Sequence, residues 1–417
     1  MGVGGECTGV ERLPNDVLVR ILGALSVTER QRAALVCRRW HICAHAPELC
    51  RELDVEIGLD QGPPPRSLPS FCEWLARHGQ HLRRLDLALW NYASLMEAER
   101  QLAQHMPQAA AAMSQLERLF LTLRNPSRVT WARQLPASLR ELGLFMGRAG
   151  YQLKIASSLS GLTQLTKLVL AAELLTLSTL RRLDTLVATG CKLDGLDVCT
   201  AMKKLTALYL THTHWMECIG ELTGLQHLVL HDVRPVDVSG DEMLEQMGAA
   251  LRRMTGLTAV LLAHPSDWAL DLAAGTQDRV IPALAGLSRL QRLCYHSTAG
   301  IPQLPPGPYS ASLRMLAASV DCLNRSTALL ASCSALEHVT LFQGSYAGPL
   351  WQWAAQHPPL RRLQVCDDLL TFSYKPELLE MASLRQARPQ LWVDCTAERP
   401  FLALFKWREP VWNAMLD

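Results

Sequence analysis

The chain has 417 residues and a formal net charge of +2 at pH 7, because 41 Lys and Arg residues nearly balance 39 Asp and Glu residues. Hydrophobic residues make up 49% and charged residues 19%, a composition that supports a large folded core and argues against disorder. The chain lacks the basic excess that drives phosphate binding, so we do not expect nucleic acid as a partner. No apolar run reaches the ~20 residues that span a bilayer, so no membrane partner is expected either.

The first residues, MGVGGEC, have neither the charged nor the apolar region of a signal peptide. The 13 cysteines are an odd number and include no C-x-x-C pair. This pattern fits neither a disulfide framework nor a zinc site, so we expect free thiols packed as small apolar side chains. Together these features predict a protein of the cytoplasm, the nucleus or both.

Residues 10–57 predict a small helical module. After Pro14 and Asn15, one helical face carries five apolar residues: Val17, Leu18, Ile21, Leu22 and Leu25. Thr28 and Gln31 have the spacing of a capping box for a second helix. That helix is expected to present one apolar side: Ala33, Val36, Cys37 and Trp40. So small a module needs a partner or a neighbouring domain to cover its apolar face.

Residues 58–69, GLDQGPPPRSLP, are rich in Pro and Gly and predict a semi-rigid linker. The segment FCEWLARHGQHL that follows is expected to form a helix. The run Ala109–Ala112 is expected to lie on another helix, because alanine is the best helix former.

The phrase Leu-x-x-Leu-x-Leu then recurs, in full or degenerate form, twelve times. The first leucines of the copies are Leu82, Leu116, Leu139, Leu165, Leu183, Leu205, Leu225, Leu257, Leu290, Leu313, Leu336 and Leu360. Most steps between copies fall in the ~20–29-residue range of leucine-rich repeats. The step of 18 residues to the weak copy at Leu183 is shorter, which leaves the register of that copy open.

In an extended segment, alternate side chains point to opposite faces, so the second and third leucines of a copy share one face. Such a strand buries its leucines only when the next copy stacks beside it in parallel. The chain therefore resembles the leucine-rich-repeat family over roughly 70% of its length, although it lacks the regular asparagine ladder of that family. We predict an α/β leucine-rich-repeat solenoid over residues 70–395, with parallel strands on its concave face and helices or irregular turns on its convex face. Residues 396–417 are expected to cap it, with a short partner-binding segment as the alternative.

The N-terminal module carries three further motifs: Leu13-Pro14, the run LVCRRW at residues 35–40, and Pro47-Glu48-Leu49. In these motifs it resembles an F-box, and with the repeats it resembles the F-box/leucine-rich-repeat proteins of plants and green algae. The resemblance implies binding to the Skp-type adaptor of a cullin-RING (SCF-type) ubiquitin ligase and presentation of a protein substrate. The matching adaptor-binding positions are Leu13, Pro14, Leu18, Ile21, Leu22, Val36, Cys37 and Trp40. Arg30, Gln31 and Arg32 depart from the leucines that family members commonly have there.

The chain has none of the local motifs that carry catalysis: no G-x-S-x-G, no phosphate-binding glycine loop and no H-E-x-x-H. Four histidines, at positions 212, 214, 227 and 231, are candidate metal ligands, but histidines at repeat edges are more often half exposed and hydrogen-bonded. We therefore predict neither an enzyme, nor a metal site, nor a cofactor.

The residues beside the second and third leucines of each copy should face the concave side. They mix aromatic, histidine and small polar groups, a composition suited to a protein partner. The candidate substrate-binding residues are Tyr209, Thr211, His227, Val229, His231, Arg292, His296, His338 and Phe342. The alternative is a ligase-independent repeat scaffold whose N-terminal helices only cap the solenoid. That alternative predicts Leu13, Pro14 and Trp40 buried against residues 50–90, whereas adaptor binding predicts them partly exposed.

Overall fold

The structure is a computed structural model. It describes residues 13–58, 68–90, 95–123, 130–146, 159–170, 180–190, 202–213, 217–234, 239–263, 280–296, 303–342, 349–366 and 383–396. The chain divides into two compact units, Met1–Val169 and Leu170–Asp417. Among the described residues, no helix combines the length and the apolar character that crossing a membrane requires.

The first unit begins with three short helices, α1 at Asn15–Gly23, α2 at Val27–Ala33 and α3 at Arg38–Ala44, and a 3-10 turn at Pro47–Cys50. Helix α1 starts where the sequence predicts, with Pro14 at its N-cap. The capping box of α2 is formed by Ser26 and Glu29 rather than Thr28 and Gln31. The Ser26 amide donates to Glu29 Oε2 at 2.9 Å, and the Glu29 amide donates to Ser26 Oγ at 3.3 Å.

The prediction of one continuous helix through Val36 and Trp40 is wrong. Helix α2 ends at Ala33, and Cys37 has an extended backbone (φ −161°, ψ 168°) before α3 begins. The break lets α3 turn back against α1, so that Trp40 packs on the apolar core of the module. Tertiary packing thus outweighs a local sequence that is compatible with helix throughout.

Two longer helices and four strands follow in the first unit, and a fifth strand, β5, begins there and ends one residue beyond it. Helix α4 spans Leu68–His78 and α5 spans Leu95–Ala112, and both agree with the sequence prediction. The 3-10 turns are Gly79–His81 and Thr130–Gln134. The strands are β1 at Glu52–Gly58, β2 at Arg84–Trp90, β3 at Arg118–Leu123, β4 at Glu141–Met146 and β5 at Lys167–Leu170.

Strands β1 to β4 pair in parallel and in chain order. Leu85 and Leu87 are buried while Arg84 and Asp86, on the other face, are half-buried, as the alternation predicts. Strand β1 precedes the Pro/Gly segment rather than following it. Its core residues are Leu53 and Val55, and Cys50 takes the place of the first leucine.

The second unit contains strands β6 to β14. Their bounds are Thr185–Thr189, Ala207–Thr211, His227–His231, Ala259–Ala263, Arg292–His296, Met315–Ser319, His338–Phe342, Arg362–Cys366 and Trp392–Thr396. Each strand pairs in parallel with the next in the chain.

Helices and turns connect these strands. The helices are α6 at Gly240–Arg253, α7 at Ile281–Leu284, α8 at Val320–Arg325, α9 at Thr327–Ser332 and α10 at Pro349–Gln356. The 3-10 turns are Glu217–Glu221 and Pro308–Ala311. Near the end, the buried Arg388 donates to four backbone carbonyls, those of Ala354, His357, Pro358 and Leu360, at 2.5–3.1 Å. These bonds tie the last described segment to the end of α10 and the turn after it.

Every predicted leucine copy corresponds to a strand, β2 to β13, and this includes the weak copy at Leu183, which leads into β6. The leucines of the motif are buried throughout. The parallel strands, their order and this burial confirm the predicted leucine-rich-repeat solenoid, which follows a helical module in the sequence. The boundaries 10–57, 58–69, 70–395 and 396–417 stay a prediction, and residues 59–67 and 397–417 lie outside the described residues.

Candidate functional site

The helical module has its own small core. Five buried residues form it: Leu18, Leu22, Ala34, Cys43 and Ala44. Leu18 and Leu22, two of the predicted adaptor-binding positions, are 0% exposed. A residue with no exposed surface touches no partner directly, so these two leucines support the surface of the module from beneath.

The same module exposes several large apolar side chains. Ile21 is 45% exposed, Leu35 84%, Val36 64% and Ile42 61%. Among the described residues, these are four of the five exposed large hydrophobic side chains, the fifth being Trp392. Cys37 and Pro14 are exposed too. Such a concentration of unpartnered apolar surface on one small module marks an interaction site.

Two of these apolar residues, Leu35 and Ile42, are not among the predicted binding positions. Leu35 is the first residue of the LVCRRW motif, so the sequence could have identified it as a binding position through that motif. Ile42 lies on α3, and nothing in the sequence separates it from the core residue Cys43 beside it. We call Ile21, Leu35, Val36 and Ile42 the apolar patch.

Arg39, in the LVCRRW run, connects that motif to the Leu13-Pro14 motif. Its Nε donates to Asn15 Oδ1 at 2.8 Å, and its Nη2 donates to the carbonyl oxygen of Leu13. Leu13 is half-buried and Pro14 is exposed. The Leu13-Pro14 pair is therefore held beside α3 by a side chain from the second motif, which brings the two motifs together in space.

Arg30 departs from the expected leucine, and the structure gives it an internal role. Its Nη1 donates to the carbonyl oxygen of Leu49 at 2.6 Å, and its Nη2 donates to that of Leu25 at 3.4 Å. Burial lowers the pKa of Arg30, because the charged group loses water. Gln31 and Arg32 point to solvent. Arg30 thus ties α2 to the 3-10 turn at Pro47–Cys50.

A cluster of rings joins the module to α4 within the first unit. The ring centroids of His41 and His45 are 4.5 Å apart, and those of His45 and His78 are 4.9 Å apart. Trp74 lies 5.2 Å from His78. Burial lowers the pKa of His78, and the nearby positive charges of His45, Arg77 and His41 lower it further. Protonation of His78 is therefore disfavoured in the folded chain.

The predicted substrate-binding residues fall into three groups. Four are buried: Tyr209, Thr211, Val229 and Phe342. Four are half-buried: His227, His231, His296 and His338. Arg292 is exposed. Neighbouring strands lie only ~4.8 Å apart, so outward-facing side chains cover one another.

Short contacts link several of these residues across strands. Tyr209 Oη lies 3.5 Å from His227 Nδ1, and the rings of His296 and Phe342 meet edge to face at 5.5 Å. Burial lowers the pKa of His227, and the positive charge of Arg292 contributes in the same direction. Arg292 and the half-buried histidines are therefore the part of this face that a partner can reach.

A polar cluster lies where β7 and β8 end. His212 and Asp232 directly follow these strands with positive φ, 50° and 48°, at the positions that correspond to Gly190 after β6. His212 Nδ1 lies 2.5 Å from Asp232 Oδ2, and Arg234 Nη2 donates to the same oxygen at 3.4 Å. Burial raises the pKa of Asp232, but the bonds from His212 and Arg234 outweigh it and the net shift is downward.

The sequence prediction did not include Asp232 or Arg234. His214 lies outside the described residues. Within the described part of the chain, no group of three His, Cys, Asp or Glu side chains is arranged to hold a metal ion. The hydrogen bonds of His212 and Arg234 to Asp232 link the residues that follow β7 and β8.

Comparison with known proteins agrees with the motifs of the module. The F-box-like family model matches residues 10–56. F-box only protein 33 from Homo sapiens and its Mus musculus counterpart are each 29% identical to this chain over 96 residues. The match covers 22% of this chain but only 17% and 16% of these relatives, so it concerns one region and not the whole protein.

Two solved structures match this chain at low sequence identity. An internalin (inlF) from Listeria monocytogenes matches 92% of this chain and 95% of its own, with 13% identity and a TM-score of 0.44. An internalin C2 (inlC2) from the same organism matches 61% and 83%, with 15% identity and a TM-score of 0.29. The fold assignment rests on the parallel strands and the leucine motif of this chain. The chain thus carries an F-box-like domain at its N-terminus, followed by a leucine-rich-repeat solenoid.

Proposed function

We propose that this protein is the substrate-recognition subunit of an SCF-type ubiquitin ligase. The F-box-like domain binds a Skp-type adaptor, and the outward face of the repeat strands binds a protein substrate. The chain performs no chemistry itself. Its contribution to rate is proximity, because it holds the substrate at a set distance from the ubiquitin-charged enzyme.

The observation that carries this proposal is the apolar patch on a domain matched by the F-box-like model. Burying a large apolar side chain fully is worth ~1.5–3 kcal/mol, so the four residues of the patch offer ample driving force for association. Pro14 is exposed, and Leu13 and Trp40 are half-buried. Partial exposure favours adaptor binding over a role as a solenoid cap only.

The test is a pull-down of the full chain by a purified Skp-type adaptor. Val36→Glu places a charge in the apolar patch and is expected to weaken binding by at least tenfold, equivalent to about 1.4 kcal/mol. The control is Trp392→Glu, which changes the one exposed large apolar residue described outside the module and is expected to bind as the native chain does.

Equal weakening by both variants, or none by Val36→Glu, contradicts the proposed surface. A folded native chain that does not bind supports the alternative of a ligase-independent scaffold. The ring contacts of His45 with His78 and Trp74 favour that second candidate, because they already place the module against α4. The two candidates differ in a single result, adaptor binding by the native chain.

A further inference from the structure

The outward face of the first unit neutralises its own charges. Arg84 pairs with Asp86 at 2.5 Å, and Arg118 lies 4.0 Å from Asp86 and 3.6 Å from Glu141. The Arg118 guanidinium also lies over the Phe120 ring at 4.3 Å from its centroid. These arginines already have carboxylate partners, so an anionic ligand would have to displace them.

The strands of the second unit differ sharply in composition. None of the residues in β6 to β13 is Asp or Glu, and β14 contains one, Asp394, which pairs with Gln364 of β13. Their outward positions instead carry arginine, histidine, small and apolar residues. The carboxylate that follows β8, Asp232, is buried and already bonded to His212 and Arg234. Positive charge on these strands therefore lacks compensation from the strands themselves.

The strand register aligns the basic residues in one row. The first residues of β8 to β13 pair consecutively in the sheet: His227, Ala259, Arg292, Met315, His338 and Arg362. We call His227, Arg292, His338 and Arg362 the basic row. Ala259 is small, so Arg292 acts on His227 across it, and its charge helps to lower the pKa of that histidine.

The two arginines of the basic row make no ion pair within the described part of the chain. Arg292 is exposed. Arg362 is half-buried, with its guanidinium over the exposed Trp392 ring at 3.9 Å from the centroid, and its buried Nε has no hydrogen-bond partner there. Both guanidinium groups are thus available to an incoming carboxylate, which each can bind through two parallel hydrogen bonds.

We propose that the basic row binds an extended, carboxylate-rich segment of a partner protein. Five strand spacings of ~4.8 Å make the row ~24 Å long, which matches about seven or eight extended residues. Charge complementarity selects Glu and Asp side chains, and Trp392 at the end of the row offers an apolar contact. This inference deepens the proposed function, because it assigns the chemical class of substrate to the repeat face.

The test uses the full chain and a fluorescein-labelled eight-residue peptide of alternating glutamate and serine. The control peptide replaces each glutamate by glutamine. Fluorescence anisotropy is expected to show binding of the glutamate peptide that weakens with added salt, and about tenfold weaker binding by Arg292→Glu. The matched control is Arg289→Glu, an exposed arginine three residues earlier and outside the row, which is expected to bind as the native chain does.

Three results overturn the inference: equal binding of the two peptides, equal loss in both variants, or no loss in Arg292→Glu. The inference is also overturned if a single-stranded oligodeoxythymidine competes as effectively as unlabelled glutamate peptide, because the basic row would then bind anions in general. Adaptor binding by each variant is measured in parallel. If the native chain binds the adaptor but not the glutamate peptide, this inference fails while the proposed function stands.

Discussion

The Leu22→Ala substitution tests the role of the buried core of the F-box-like domain independently of its binding surface. Leu22 is 0% exposed and packs in a core of five buried residues. Truncating a buried leucine to alanine costs about 2.7–5 kcal/mol, through lost transfer energy and the cavity left behind. At about 0.05–0.15 kcal/mol per residue, a module of roughly 40 residues has only about 2–6 kcal/mol of stability. The substitution is therefore expected to unfold the module while the repeats stay folded.

Hydrogen exchange of the full chain, read by mass spectrometry, measures this directly. Peptides from α1 and α3 are expected to lose protection in Leu22→Ala, whereas peptides from β7 to β9 keep it. Ile21→Ala is the matched control, because Ile21 is half exposed and its loss leaves no cavity. Both variants should bind the adaptor less, but only Leu22→Ala should lose protection. Retained protection of α1 in Leu22→Ala would show that Leu22 is not essential to the stability of this core.

Four further predictions follow from single contacts. Arg388→Met removes the donor to four carbonyls and is expected to lower the free energy of unfolding by about 3 kcal/mol or more, measured by urea denaturation. Ser26→Ala removes the capping box of α2 and should cost about 1 kcal/mol, seen as faster exchange in α2. The Leu13→Ala, Pro14→Ala double variant is expected to weaken adaptor binding at least tenfold in a pull-down, while its circular dichroism stays native. Because burial and nearby charge hold the pKa of His78 below its ordinary 6.5, the unfolded chain takes up more protons as pH falls through 6.5. Stability present above that pH is lost below it, and melting temperatures of His78→Gln should fall less between pH 7 and 5.

The repeat architecture was predictable because it depends on a local pattern repeated many times. Each Leu-x-x-Leu-x-Leu copy marks one strand, and no single copy decides the fold. The two strands that the pattern missed, β1 and β14, lie at the ends of the series. There Val55, Val393 and Cys395 replace the leucines, and smaller apolar residues carry no repeat signature.

The helical module was harder to predict in detail because long-range contacts shape it. The apolar stripe of α1 contains both Leu18, which is buried, and Ile21, which is exposed, and periodicity alone does not distinguish them. The break between α2 and α3 follows from packing on α1 rather than from any helix-breaking residue. Arg30 looked like a defect in a family pattern, but its partner Leu49 lies 19 residues away.

The sequence also could not show which part of the repeat face is accessible to a partner. Alternation correctly places Tyr209 and Val229 opposite the leucines, yet both are buried, because neighbouring strands lie too close to leave the middle of the face open. The alignment of His227, Arg292 and Arg362 in one row depends on strand register. Register is a property of the folded sheet, and the sequence indicates it only through the repeat spacing.

Isothermal titration calorimetry of the purified native chain with a purified Skp-type adaptor shows whether the F-box-like domain binds its proposed partner. We expect saturable one-to-one binding with a negative heat-capacity change, because the apolar patch becomes buried. Hydrogen exchange on the same preparation establishes that α1 and α3 are folded. If a chain whose module is protected does not bind the adaptor, the proposed ligase function is contradicted, and the protein is then a repeat scaffold whose first helices pack only on their own chain.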